Sequence, residues 1–188
     1  MAKPVEILAI CGSLRPDSVT HVAMALVAEA IQEAGGAVTW ADPWVASLPL
    51  YAEDAEETAS VQEFRAAARR ARGFLWGSPE YHGTCSGVLK NALDHLTFDE
   101  TEGRWVALVA TSGGRTGASS TLNTLRVVAR NLHLWVPPGD VSIPSSHRAL
   151  DDRGSFRDEE MAGRLRALGR DLAAAVQAFE AAGLFPRD

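Results

Sequence analysis

Short apolar segments alternate with amphipathic ones along the whole chain, and this alternation constrains the fold more than any other feature. Runs of this kind, bounded by glycine, serine or proline, predict strands of a parallel sheet that is buried on both faces. The five runs are Val5–Ile10, Val38–Trp40, Phe74–Trp76, Trp105–Ala110 and Leu134–Val136.

Apolar residues recur at helical spacing after each of these runs, whereas the segment Pro43–Glu57, with two prolines and an acidic cluster, predicts a loop. The apolar helix faces begin at Val19, Val61, Val88, Leu122 and Met161. Strands that alternate with helices predict an α/β fold. We therefore expect a flavodoxin-like, doubly wound, five-stranded parallel sheet of order 2-1-3-4-5 with helices on both faces, built as a single domain over residues 1–188.

Composition restricts the partners and the compartment. The chain carries 24 acidic and 18 basic residues, a net charge of −6, which does not favour binding to nucleic acid or to an anionic membrane surface. No apolar stretch approaches the roughly 20 residues of a membrane span. Cys11 and Cys85 lack the spacing of a disulfide framework or a metal site, and no secretory signal is visible. We expect a cytoplasmic protein without a bound metal.

The loop after the first strand carries hydroxyl groups and one arginine immediately before a helix. Ligands of open α/β sheets bind beyond the carboxyl ends of the strands, where the strand order reverses. Ser13, Ser18 and Thr20 offer hydroxyl groups there and Arg15 offers a positive charge, beside the free N–H groups of the helix. The pattern predicts a phosphate site, with plain helix capping as the alternative. Neither a G-x-G-x-x-G nor a P-loop motif is present.

The loops after the third and fourth strands are expected at the same edge of the sheet. In the segment 78–87, Pro79 stiffens the exit from the strand, while Gly83 and Gly87 let the backbone approach a flat ligand closely. Backbone groups of such a loop supply donors and acceptors to the edge of a heteroaromatic ring. The segment 111–117 offers further backbone without side chains, although its glycine run alone indicates only a flexible turn.

Four short motifs follow one another in the first three quarters of the chain. They are Gly12-Ser13-Leu14-Arg15-x-x-Ser18, Pro79-Glu80-Tyr81, Gly87-Val88-Leu89-Lys90-Asn91-Ala92-Leu93-Asp94 and Ser112-Gly113-Gly114. Together, and in this order, they resemble the NADPH-dependent FMN reductase family, which groups with quinone, azo-dye and chromate reductases of flavodoxin-like fold. This chain departs from the family at three positions: His82 and Thr20 replace a frequent asparagine, and Ser86 replaces a usual proline.

The resemblance implies an FMN site. It implies that Ser13, Arg15, Ser18 and Thr20 hold the FMN phosphate, that Pro79, Glu80, Tyr81, His82 and Gly83 line the isoalloxazine ring and ribityl chain, and that Ser112 and Gly113 close the third side. It also implies NADPH or NADH as co-substrate. The helix from Val88 to Leu96 resembles the one these proteins use in dimer contacts, so we expect a homodimer or homotetramer.

The reaction implied is hydride transfer from the nicotinamide to FMN, followed by reduction of a small-molecule acceptor: a quinone, a flavin, an azo compound or a metal oxyanion. Since the flavin carries this chemistry, we nominate no side chain as catalytic. A flavodoxin-type electron carrier, which binds FMN without using NAD(P)H, is the main alternative, and a module that has lost flavin is another. The sequence names neither the acceptor nor the preferred nicotinamide.

Overall fold

The computed structural model describes residues 4–186 and contains one central sheet. Its strands are β1 (Glu6–Cys11), β2 (Ala37–Trp40), β3 (Gly73–Tyr81), β4 (Thr84–Cys85), β5 (Trp105–Thr111) and β6 (Val141–Ile143). The order is β2-β1-β3-β5-β6, with all these neighbours parallel, while β4 pairs with β3 in the antiparallel sense. Counted over the parallel strands alone, this is the predicted 2-1-3-4-5 order, so the flavodoxin-like fold class is confirmed.

The helices cover both faces of the sheet. They are α1 (Val19–Glu33), α2 (Asp42–Val45), α3 (Ala59–Arg70), α4 (Gly87–Asp94), α5 (Phe98–Thr101), α6 (Ser119–Asn131) and α7 (Glu159–Ala182). One core layer contains the buried residues of α3, α4 and α6, and the other contains those of α1 and α7. None of the helices within residues 4–186 is long and apolar enough to cross a bilayer.

Alternation along β1 explains how one strand serves both core layers. Leu8 and Ile10 belong to the layer of α3, α4 and α6, while Ile7 and Ala9 belong to the layer of α1 and α7. All four residues are fully buried, because successive side chains of a strand point to opposite faces. A strand buried in this way has a continuous apolar sequence, which is why β1 was predictable.

The predicted fifth strand, Leu134–Val136, is wrong. Trp135 makes one isolated parallel bridge to Trp105, and the regular edge strand is β6, five residues further along the chain. Pro137 and Pro138 lie between the two segments, and a proline cannot donate to a strand ladder. The chain therefore leaves the sheet after Trp135 and rejoins it at Val141.

Three other segments differ from the predicted secondary structure. Strand β3 was expected to end at Trp76 and continues to Tyr81, where it forms a hairpin with β4. The segment Pro43–Glu57 was expected to be a loop, and its first residues complete the short helix α2. Helix α5 was not predicted, although Thr97 and Glu100 form a capping box that marks its start.

Candidate functional site

The loops after β1, β3 and β5 lie together at one edge of the sheet. Cys11, the last residue of β1, is in register with Gly77, and Pro79 is in register with Thr111, the last residue of β5. Since these strands are parallel, their carboxyl ends meet at this edge. The strand order reverses between β1 and β3, so this edge is also where an open α/β sheet binds its ligands.

The first loop, residues 12–18, presents its polar side chains next to the start of α1. Ser13 is half-buried and Arg15 is exposed. The Arg15 Nε atom lies 3.5 Å from Asp17 Oδ1, but both side chains are more than three quarters exposed (76% and 81%), so the pair is weak. Arg15 thus remains available to an anion beside the first turn of α1.

Ser18 and Thr20 each have a partner within the protein. The Ser18 hydroxyl caps α1 by accepting a hydrogen bond of 3.1 Å from the backbone N–H of His21. Thr20 is buried below the loop, and its Oγ1 lies 2.7 Å from Oγ1 of Thr111 on β5. Both hydroxyl groups therefore support the loop through partners within the protein, and a direct contact of either with phosphate stays a prediction.

The second loop is a tight hairpin rather than an open segment. Glu80 pairs with Cys85 and Tyr81 with Thr84, which leaves His82 and Gly83 as a two-residue turn. Both turn residues have positive φ, 54° and 82°. A two-residue hairpin with positive φ at both positions matches the twist of its strands, and glycine adopts this conformation without strain. The turn holds exposed Tyr81 and His82 at the rim of the site.

The Glu80 carboxylate contacts the start of α6. Its Oε2 accepts hydrogen bonds from Thr121, 3.0 Å from the hydroxyl group and 3.3 Å from the backbone N–H. The residue before α6, Ala118, has no side chain with which to cap the helix. Glu80 supplies that function from β3, where its negative charge also matches the positive end of the helix dipole.

The third loop, residues 112–118, is tied to the chain segment that follows β6. The backbone N–H groups of Ser145 and Ser146 donate to the carbonyl oxygens of Gly114 and Ser112, at 2.8 and 2.9 Å. Ser142 Oγ accepts from the N–H of Ala118 at 2.8 Å. This support was not predicted, because the edge strand was expected at Leu134–Val136 and lies at Val141–Ile143. The Val-Ser-Ile alternation before Pro144 was the available signal.

Two buried serines join the first loop to the second, and neither contact was predicted from the sequence. Ser86 Oγ donates to the carbonyl oxygen of Gly12 at 2.7 Å, and the Ser86 N–H donates to Ser78 Oγ at 2.9 Å. A Cβ atom on Gly12 would lie 2.6 Å from Ser86 Oγ, so only glycine permits this approach. The first and second loops are thus directly connected.

Cys11 is a buried thiol at the base of the first loop. Burial raises its pKa to about 11, against a smaller lowering by the backbone N–H of Ser13. The thiol is therefore protonated at neutral pH and is not a nucleophile. A neighbouring cavity of about 290 Å³ is lined by Cys11, Ser13, His21 and Asp42 among others, and burial raises the pKa of Asp42 while His21 opposes the rise.

The residues at this edge fit a flat ring that carries a phosphate group. Gly83 and Gly113 are exposed, and a Cβ atom built on either meets no other atom within 4 Å, so open space lies beside both backbones. Ser13, Arg15 and the first turn of α1 provide donors and positive charge in the loop after β1, at the same edge of the sheet. Within the described part of the chain, His, Cys, Asp and Glu side chains form no cluster able to hold a metal ion.

Comparison with known families agrees with the geometry. The sequence model of the family described as NADPH-dependent FMN reductase matches residues 5–148. The chain is 31% identical over 176 residues to the NADPH-dependent FMN reductase ArsH of Shigella flexneri, a match that covers 91% of this chain and 68% of that protein. It is 42% identical over 94 residues to an FMN-dependent NADPH-azoreductase of Staphylococcus saprophyticus, which covers half of each chain.

Solved structures share the fold at low sequence identity. The flavoenzyme NAD(P)H:(acceptor) oxidoreductase FerB of Paracoccus denitrificans superimposes with a TM-score of 0.78 at 22% identity, over 93% of this chain and 98% of that one. An oxidoreductase of Corynebacterium diphtheriae gives 0.75 at 19% identity, over 94% and 99% of the two chains. An archaeal flavodoxin gives 0.66 at 12% identity, over 92% and 99%.

Proposed function

We propose that this chain, which belongs to the NADPH-dependent FMN reductase family, is an FMN-dependent oxidoreductase that takes hydride from NADPH and reduces a small acceptor. The observation that carries this conclusion is the meeting of three loops at the carboxyl edge of the sheet. Hydrogen bonds there join the first loop to the second and the first turn of α1 to the end of β5. One loop offers phosphate donors at a helix N-terminus, and the other two leave open space beside glycine backbones.

The proposed phosphate site is the first loop. Arg15 and Ser13 contribute a positive charge and a hydroxyl group, and the α1 N-terminus contributes N–H groups. Ser18 supports the site as the helix cap, and Thr20 supports it from below through Thr111. The ribityl chain and ring would then extend along the backbone of Pro79–Gly83, with Ser112 and Gly113 on the other side.

The chemistry that bound FMN supplies is acceptance of hydride from the nicotinamide and delivery of electrons to a second substrate. The chain's own residues would bind the flavin and orient it. The hairpin turn at His82 and Gly83 holds Tyr81 at the rim, and the Glu80 carboxylate is occupied at the start of α6. No proton transfer is assigned to any side chain.

The acceptor class we propose is a quinone, a flavin, an azo compound or a metal oxyanion. Two relatives support part of this range, since one is described as an FMN reductase and the other as an azoreductase. The same relatives favour a reductase over an electron carrier of flavodoxin type, because both descriptions include NADPH. The matched azoreductase segment spans half of that protein, so its substrate is a guide for assays here.

We also propose that the protein acts in the cytoplasm as one FMN-binding domain spanning residues 1–188, whose ends, 1–3 and 187–188, lie outside the described residues. Both cysteines are free and buried, which suits a reducing compartment. One sheet covered by helices on both faces, with a core layer on each side, is the architecture of a single domain.

A homodimer or homotetramer formed through α4 and α6 is the proposed assembly. A cavity of about 280 Å³ lies between these helices and is lined by the apolar side chains of Leu93, Leu96, Val127, Val128 and Leu132 together with polar ones. Val127 is 61% exposed, which leaves an apolar contact surface for a second copy. Size-exclusion chromatography with light scattering tests this, since Val127→Glu should shift the protein towards the monomer.

The test of the function is the absorbance spectrum of protein that has been incubated with FMN, desalted and then mixed with NADPH without oxygen. Retained flavin that bleaches supports the reductase. Retained flavin that bleaches with neither NADPH nor NADH would support the electron carrier. A colourless protein would overturn the cofactor assignment.

A matched pair of arginine variants tests the phosphate site. Arg15→Ala should weaken FMN binding about tenfold while leaving riboflavin binding unchanged, because a charge-assisted contact to the phosphate is lost. Arg130→Ala, at an exposed position in the last turn of α6, removes the same charge far from the loops and should change neither affinity. Equal losses for FMN and riboflavin would remove Arg15 from the phosphate site.

A further inference from the structure

Ser86 is a buried polar residue that contacts both the first and the second loop. It is 1% exposed and lies between the hairpin and α4. Its hydroxyl group donates to the carbonyl oxygen of Gly12 at 2.7 Å and accepts from the N–H of Leu89 at 3.2 Å. Both the donor and one acceptor position of this hydroxyl are therefore used.

The backbone of Ser86 is held as well. Its N–H donates to Ser78 Oγ at 2.9 Å, and Ser78 in turn donates to the carbonyl oxygen of Pro79 at 2.7 Å. Ser78 and Pro79 belong to β3, the strand that leads into the hairpin. Ser86 is thus fixed to the second loop by its backbone and to the first loop by its side chain.

The contact with Gly12 controls the direction of the first loop. The carbonyl group of Gly12 and the N–H and Cα atoms of Ser13 share one planar peptide unit. Ser86 Oγ holds that plane from the carbonyl side. The position of Ser13, where the proposed phosphate site begins, follows from the orientation of this plane.

We propose that Ser86 is a positioning residue that fixes the position of the first loop relative to the second. It thereby determines how tightly the phosphate group of FMN is held. The proposal rests on the proposed function. A helix cap needs only the bond from Leu89, so the donated bond to Gly12 is an additional role of the same hydroxyl. A proline at this position has neither the hydroxyl group nor the N–H, so the connection is a property of this chain's own serine.

The experiment compares dissociation constants for FMN and riboflavin, which differ only in the phosphate group. In Ser86→Ala, the dissociation constant for riboflavin divided by that for FMN should fall about fivefold, because FMN binding weakens when one hydrogen bond that orients the loop is lost. Ser78→Ala keeps the Ser86 hydroxyl but frees its N–H, and it should change the ratio in the same direction by less. Thermal melting of each variant reports whether it folds.

The control is Thr101→Val, which removes another buried hydroxyl that bridges two segments, donating to the carbonyl oxygens of Thr97 and Leu132 before β5 begins. It should lower the melting temperature without changing the ratio. A purely structural role for Ser86 predicts the same pattern for Ser86→Ala and would overturn the positioning proposal alone. Wild-type protein that binds no FMN, or binds FMN and riboflavin equally, would overturn the proposal together with the phosphate site it serves.

Discussion

The hydroxyl groups of Thr20 and Thr111 lie 2.7 Å apart in the protein interior and join the first turn of α1 to the end of β5. The two residues are 91 positions apart in the sequence, so this bond connects the element behind the first loop to the strand that leads into the third loop. Each residue is less than 5% exposed, so the two hydroxyl groups are largely shielded from bulk solvent.

Thr111→Val should destabilise the protein by about 1–3 kcal/mol, because Thr20 Oγ1 is left buried and unpaired. The double variant Thr20→Val/Thr111→Val should recover part of that loss, since both polar groups are then gone. Urea denaturation of the two single variants and the double variant measures the coupling. Strictly additive losses would contradict it. If Thr20 instead binds phosphate, Thr20→Val would weaken FMN binding and leave riboflavin binding unchanged.

The hairpin turn at His82 and Gly83 supports a second prediction, on stability. Gly83→Ala should cost about 1–2 kcal/mol, the price of a left-handed conformation for a residue with a Cβ atom, since no neighbour lies within 4 Å of that position. His82→Asn should be neutral or slightly stabilising, because asparagine favours positive φ in such turns. Urea denaturation gives both values. The control is Gly87→Ala, which has equal space but no positive φ and should not destabilise α4.

The sequence predicted the centre of the fold well and its edges poorly. Strands β1, β3 and β5 are buried on both faces, so their apolar sequences indicate them directly. Strand β6 has only three residues and includes a serine, whereas Leu134–Val136 is more apolar and was chosen in its place. The edge strand lies after Pro137 and Pro138 rather than before them. The sequence does not show which of the two segments pairs with β5, so this shift was not predictable from it.

The candidate site was likewise predictable in part. The positions of the three loops followed from the strand order, and that order was correct. What individual side chains contact did not follow, because Thr20, Glu80 and Ser86 bond to residues distant in sequence. Thr20 was expected in the phosphate site and is bonded to Thr111, and Glu80 was expected beside the ring and bonds to Thr121. A hydroxyl group or carboxylate after a strand indicates a polar site but not its partner.

The buried carboxylate of Glu100 predicts a pH dependence of stability. Burial alone would raise its pKa, but hydrogen bonds from Thr97 and Arg65 outweigh this and hold the pKa below the usual value of 4.5. Arg69 is also 2.7 Å from the carboxylate. A carboxyl group whose pKa is lower in the folded state stabilises the fold above its unfolded pKa. That contribution is lost as the pH falls from about 4.5 through the lower folded value.

Glu100→Gln should therefore destabilise the protein by about 3–5 kcal/mol at pH 7, where two arginines lose their carboxylate, and by clearly less at pH 3.5. Urea denaturation at the two pH values measures the difference. Glu159→Gln, an exposed carboxylate in the first turn of α7, is the control and should change stability little at either pH. A Glu100→Gln effect that is independent of pH would contradict the role of the ionised form.

Cys11 should resist alkylation in the folded protein. With a pKa raised to about 11 by burial, roughly one molecule in a thousand carries the thiolate at pH 8, and the residue is 1% exposed. Iodoacetamide followed by peptide mass spectrometry should leave Cys11 unmodified in native protein and modify it in guanidinium chloride, the same sample serving as its own control. Rapid modification of the native protein would show that the base of the first loop opens to solvent.

A methyl group added at Gly113 should weaken binding of the flavin ring without changing the stability of the protein. A Cβ atom there meets no protein atom within 4 Å and the backbone is not left-handed, so Gly113→Ala should fold with unchanged stability. If the ring lies against this backbone, FMN and riboflavin should both bind about tenfold more weakly, unlike the phosphate-selective effects of Arg15→Ala and Ser86→Ala. Gly139→Ala has the same open space after the prolines and should leave both affinities unchanged. Fluorescence titration with the two flavins distinguishes these outcomes, and unaltered binding by Gly113→Ala would place the ring away from the third loop.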